Sequence, residues 1–148
     1  QHPKSPFPIS RLIDNLLYAG RGDEALKYYD MPVMQGDLEN RFNTGTPIEM
    51  FNAYHFGDRE ALEALKSLEN LIYNIEADIY FEWGEYDMAA KILNDVLEVD
   101  FNYFYFRNLR IFDPRFAVDH AGINQVLRHP KYKVLMDRRR QNLGLPAK

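Results

Sequence analysis

The side chains best suited to proton or metal chemistry near neutral pH are four histidines, at positions 2, 55, 120 and 129. None stands at metal-ligand spacing from another ligand. There is no His-x-x-x-His pair and no Glu-x-x-His pair. Each histidine therefore reads as a surface or interhelix residue, and His55 falls at a helix end where its charge suits the dipole. The chain has no cysteine, which removes thiol nucleophiles, disulfides and cysteine-based zinc sites. No nucleophile elbow or phosphate-cradling glycine loop is present. Gly20-Arg21-Gly22 is too short to hold a nucleotide and suits a turn between helices. Glu82 and Glu85 flank Trp83 and Gly84, a pattern that a solvated turn explains equally well. The expectation is a non-enzymatic protein with no cofactor and no metal.

Composition sets the frame for these residues. A chain of 148 residues has the length of one domain. At 46% hydrophobic and 27% charged it lies in the globular range. Its net charge of −4 argues against duplex nucleic acid as a partner, since such affinity comes largely from cations on phosphates. No uncharged run approaches the roughly 20 apolar residues of a membrane helix, so no membrane insertion by this segment is expected. Charge is divided unevenly. Residues 128–148 hold seven cations against the single acid Asp137, while the first 127 residues hold 11 cations and 21 acids. This predicts a basic closing helix docked on an acidic body, or a solvated end. The opening Gln1-His2 is compatible with a processed form or with a domain cut from a longer protein.

The elements that would position these groups are helices, because apolar residues recur at spacings of three and four and strand alternation is nearly absent. Prolines at 3, 6 and 8 predict an extended arm over 1–9. Ser10 is placed to cap a helix over 11–19, and a second helix over 24–30 stops at Met31-Pro32. The stretch 33–45 reads as a long connection with at most a short helical turn. Thr46-Pro47-Ile48-Glu49 has the form of a capping box opening a helix to Phe56, with Gly57 after it. Asp58 caps the next element. Apolar steps from Leu62 to Ile79 predict one long helix over 59–83, bent near Asn70. After Gly84-Glu85 a helix runs over 86–99, and 100–110 carries a further short one. Asp113-Pro114 and His129-Pro130 repeat a cap-plus-proline signal for helices over 114–120 and 130–142, with a short helix at 123–127 between them.

Two segments resemble each other. In the second, Gly84 stands at a turn, Tyr86 follows it, Ala89 is small where two helices would touch, and Tyr73, Ala77 and Tyr80 precede the turn. In the first, Leu12 and Leu16 lead to Gly20, and Ala25 takes the packing position. A third, poorer echo is Gly57 to Leu62. Two helices cross closely only where small side chains meet. The pattern resembles the tetratricopeptide repeat, a helix-turn-helix unit of about 34 residues. It departs from it at Glu76, which is usually apolar, and at Phe101, where the family ends on proline. The resemblance implies an all-α fold of antiparallel helical hairpins in a short, degenerate superhelical array, treated as a single domain over 1–148. The tail, with Arg128, Pro130, Tyr132, Leu135-Met136 and Leu143-Gly144-Leu145, resembles the closing segment of helical domains in ToxR-like one-component bacterial regulators. That likeness implies a sensor role and a periplasmic location; without it the location reads as cytoplasmic.

A tetratricopeptide array implies a concave groove lined by the first helix of each unit. On that face stand Asn74, Asp78, Phe81 and Glu82, and earlier Asp14 and Tyr18. Carboxylates over an aromatic floor suit a basic, extended protein or peptide segment. The competing reading is a small-ligand pocket built from the aromatic run containing Tyr103, Tyr105 and Phe106. Too few cations interleave that run for a nucleic-acid stacking platform. Self-association, as in a homodimer, is left open.

Overall fold

The structure, a computed structural model, describes residues 7–44, 46–68, 73–97 and 109–146. These residues form an all-α fold, and no strand occurs among them. The chain divides into two compact units, 1–69 and 70–148.

The first unit contains α1 (Phe7–Tyr18), α2 (Gly22–Leu26), 3-10 turns at Lys27–Asp30 and Pro32–Met34, α3 (Leu38–Thr44), α4 (Ile48–Phe56) and α5 (Arg59–Lys66). Its core gathers Ile9, Ile13 and Leu16 of α1 around Ala25, Tyr29, Met34 and Phe51. Several boundaries correct the sequence expectation. The first helix starts at Phe7, so 7–9 are helical rather than part of an extended arm. Pro8 permits this because a proline in the first turn gives up an amide that has no partner there. Ser10 lies inside the helix, where its hydroxyl accepts from the Thr46 amide at 3.2 Å. The connection at 33–45 carries a real helix, α3. Asp37 accepts from the Asn40 amide at its start, and Arg41 makes a two-pronged bridge to Glu49 at 2.6 and 3.0 Å. The capping box does not form. Thr46 turns to Asp14, Glu49 turns to Arg41, and α4 opens behind Pro47 without a side-chain cap. Asp58 does cap α5, accepting from Ala61 at 3.0 Å.

The expected long helix over 59–83 is replaced by two helices. α5 ends at Lys66, where the Ser67 hydroxyl donates to the Ala64 carbonyl at 2.6 Å, and α6 begins at Tyr73. A hydroxyl that satisfies a terminal carbonyl competes with the next helical turn. The boundary between the units falls in this gap.

The second unit contains α6 (Tyr73–Glu82), α7 (Tyr86–Val96), 3-10 turns at Arg110–Phe112 and Pro114–Phe116, α8 (Ala121–Arg128) and α9 (Pro130–Asn142). Ala77, Phe81, Ala89, Leu93, Phe112, Ile123, Val126, Tyr132 and Leu135 form its core. The segment expected to form a helix over 114–120 makes only a 3-10 turn, opened by Asp113. The helix expected at 123–127 is longer and is capped by His120, whose Nδ1 accepts from the Ile123 amide at 3.3 Å. His129 caps α9 in the same way, accepting from Lys131. α9 is the basic closing helix. It is fixed by Tyr132, whose hydroxyl donates to the Leu93 carbonyl at 2.6 Å, and by Lys131, which donates to the Leu97 carbonyl.

The two helix-turn-helix units share one design when Gly20 is laid on Gly84. Each glycine has positive φ, +73° and +77°. Its amide donates three residues back (Gly20 to Leu17, Gly84 to Phe81), and the next amide donates five back (Arg21 to Leu16, Glu85 to Tyr80). This is the paired closure of a Schellman turn. Ala25 and Ala89 then occupy matching, fully buried positions. Replacing Gly84 by alanine is expected to destabilise the second unit by about 1 kcal/mol, because a Cβ strains this left-handed conformation even though open space surrounds it. Urea denaturation followed by fluorescence of Trp83, the only tryptophan, measures it.

Candidate functional site

The groove residues named from the sequence are used inside each unit. Asp78 is 5% exposed, and its carboxylate accepts from the Arg110 amide at 3.0 Å. Phe81 is buried in the core with its ring 5.3 Å from Tyr86. Glu82 pairs with Arg110, whose guanidinium lies 5.2 Å above the Phe116 ring. The returning segment 109–112 thus covers the α6 face that the helical spacing had left open to a ligand. Asp14 in the first unit behaves like Asp78. It takes a hydrogen bond from the Thr46 hydroxyl at 3.1 Å. In both units the donor comes from a residue 32 positions downstream of the aspartate. The side chains of Tyr18 and Asn74 lie outside the described part of the structure, as do Tyr103, Tyr105 and Phe106.

Electrostatics separates the acids. Burial pushes the Asp14 carboxyl above its ordinary value, against the Thr46 hydrogen bond and the Arg11 charge. Close by, burial and the Asp14 and Glu49 carboxylates push the Tyr29 phenol well above its usual range, and its hydroxyl has no hydrogen-bond partner. Asp113 moves the other way. It is 2% exposed and accepts from the Arg115 amide and guanidinium and from Arg139 Nη2 at 2.9 Å. Hydrogen bonds from Arg115, then Arg139, hold its carboxyl far below the ordinary carboxylate range despite burial. This network pins α9 to the turn at Pro114–Phe116.

Pinning α9 there leaves an open cleft of about 850 Å³ within the second unit. Its floor is apolar, from Ala117, Val118, Leu127 and Met136. Its rim is charged, from Asp119, Arg128, Lys133, Asp137 and Arg140. Lys133 and Asp137 neutralise each other. Arg140 donates to the Pro146 carbonyl at 2.8 Å, and neither it nor Arg128 has a carboxylate partner among the described residues. Sequence reasoning did not place a site here. The visible signal was the charge run at 128–148, but two of its members, Lys131 and Arg139, bind other elements of the fold, and Lys133 pairs with Asp137 on its own helix. The remaining chemistry is sparse. No group of three or more His, Cys, Asp or Glu side chains that could hold a metal occurs among the described residues. His120 Nε2 lies 3.0 Å from Asp87 and its ring 5.5 Å from Tyr86, an interhelix contact.

No family model, curated protein or solved structure matches this chain. Among the described residues no helix is long and apolar enough to cross a membrane.

Proposed function

We propose that this chain is a non-enzymatic interaction module of tetratricopeptide-like hairpins that binds a segment of another protein. The observation that carries the reading is the matched pair of hairpins, each closed by a left-handed glycine and packed through a buried alanine. Hairpins built this way stack by small-residue contact and leave outer surfaces for a partner. The C-terminal resemblance supports a place as the sensory portion of a ToxR-like regulator, with a periplasmic setting. Asp78 and Glu82 are already engaged within the second unit, which favours the cleft beside α9 over them as the binding face.

Selection of a displayed random-peptide library on the immobilised chain tests this. Enrichment of a shared motif, with binding of the synthetic peptide in solution, is the expected result. Absence of any enriched motif, together with a metabolite that raises the melting temperature, would transfer the reading to small-ligand binding, because a ligand held only by the folded state stabilises it by mass action.

A further inference from the structure

We infer that the cleft between α8, α9 and the 114–119 segment is a docking site for an acidic, apolar-bearing peptide segment of a partner protein. The inference rests on the interaction-module reading and deepens it by naming the face and the chemistry. It also reverses the sign of the partner, since acidic groove positions in the sequence had pointed to a basic segment.

Three features lead there. The cleft volume of about 850 Å³ lies in the range of specific binding pockets, about 300–1,000 Å³, and the floor of Ala117, Val118, Leu127 and Met136 offers burial to apolar side chains. The charge around that floor is unbalanced toward positive. With Lys133 and Asp137 paired, Arg128 and Arg140 face only Asp119, which also accepts from Asn124 Nδ2 at 3.2 Å. Guanidinium groups bind carboxylates through two parallel hydrogen bonds. The wall is also preorganised. Arg140 is tethered to the Pro146 carbonyl, and α9 is held by Tyr132 on Leu93 and Arg139 on Asp113, so less freedom is lost on binding.

A concave cleft accepts a protruding chain, whereas a membrane surface demands a convex or flat face. An excess of one cation in the cleft, in a chain of net charge −4, is also too little for nucleic acid. An acidic peptide is therefore the occupant that fits both the shape and the charge.

The test uses the full chain and two fluorescein-labelled dodecapeptides, one alternating Glu and Leu, the other Lys and Leu. Fluorescence anisotropy is expected to show the Glu–Leu peptide binding at least about tenfold more tightly, with affinity falling as salt rises. Its addition should shift the methyl resonance of Met136. The Arg128→Glu and Arg140→Glu variants should each weaken binding by about tenfold. Arg138→Glu, outside this cleft, should leave it unchanged. Circular dichroism melts confirm that each variant is folded, and Arg128, being exposed, carries the test if Arg140→Glu does not fold. Tighter binding of the Lys–Leu peptide, no binding of the Glu–Leu peptide, or loss of binding with Arg138→Glu but not Arg128→Glu would overturn the inference. So would capture by phosphatidylserine vesicles that the Glu–Leu peptide does not displace. If the inference fails while library selection still yields a motif, only the site and its charge preference fall. If both fail, the interaction-module reading falls with it.

Discussion

Replacing Asp113 with alanine is expected to destabilise the second unit by about 3 kcal/mol, read as a shift of the urea midpoint of Trp83 fluorescence. The argument starts from burial. Asp113 is nearly inaccessible, and its oxygens are occupied by the Arg115 amide, the Arg115 guanidinium and Arg139 Nη2. Arg115 is half exposed and can return to water, but Arg139 is largely covered and its Nε already lacks a partner. Removing the carboxylate leaves a buried cation uncompensated, which costs far more than a surface pair is worth. Asp113→Asn should cost less, because an amide oxygen can still accept from Arg139. The pH dependence gives a separate readout. The folded-state pKa of Asp113 is depressed, so its contribution is fully present above the unfolded value of about 3.9 and is lost as pH falls below it. Stability of the second unit should therefore drop steeply below about pH 4 in the wild type, and less steeply in Asp113→Asn. A wild type and Asp113→Asn with identical acid slopes would refute the assignment. Asp14 acts with the opposite sign. Its folded pKa is raised, so protonation relieves the cost of its burial as pH falls.

Ala89→Leu is expected to cost about 2–3 kcal/mol, the upper part of the range for overpacking a tight core. Ala89 is fully buried where α7 meets α6, alongside Ala77, Leu93 and Phe81. The added carbons have nowhere to go unless the helices separate, and separation also strains the Gly84 turn that joins them. Ala25→Leu in the first hairpin should behave alike, since Ala25 is equally buried among Ile13, Leu16 and Tyr29. Met88→Leu, at an exposed neighbouring position, is the control and should change stability by less than about 0.5 kcal/mol. A neutral Ala89→Leu would mean that the hairpin does not close through small residues, and the repeat reading would lose its physical basis.

The sequence alone determined the helical class, the two hairpin turns and the small residues behind them. Those signals are local: a glycine needed for positive φ, an alanine five residues later, and apolar steps of three and four. It also determined the Asp58 cap, the His129-Pro130 helix start and the Gly144 stop, each carried by a few adjacent residues, while Asp113 caps only a 3-10 turn where a helix was expected. It misjudged the helix over 59–83, which stops after Lys66 where the Ser67 hydroxyl takes up the Ala64 carbonyl. It also misjudged Thr46 and Glu49, because partners outside the local window compete for the same groups. Asp14 captures the Thr46 hydroxyl from 32 residues away, and Arg41 captures Glu49. Only the tertiary structure decided which of the polar groups are already engaged. Helical spacing can say which residues share a face of α6, but not that the segment 109–112 returns to cover it and take up Asp78 and Glu82. Likewise the cations of 128–148 look equivalent in the sequence. Packing α9 onto the core assigns Arg139 and Lys131 to the fold and leaves Arg128 and Arg140 facing the cleft, because a charge becomes structural or available according to what the long-range packing places beside it.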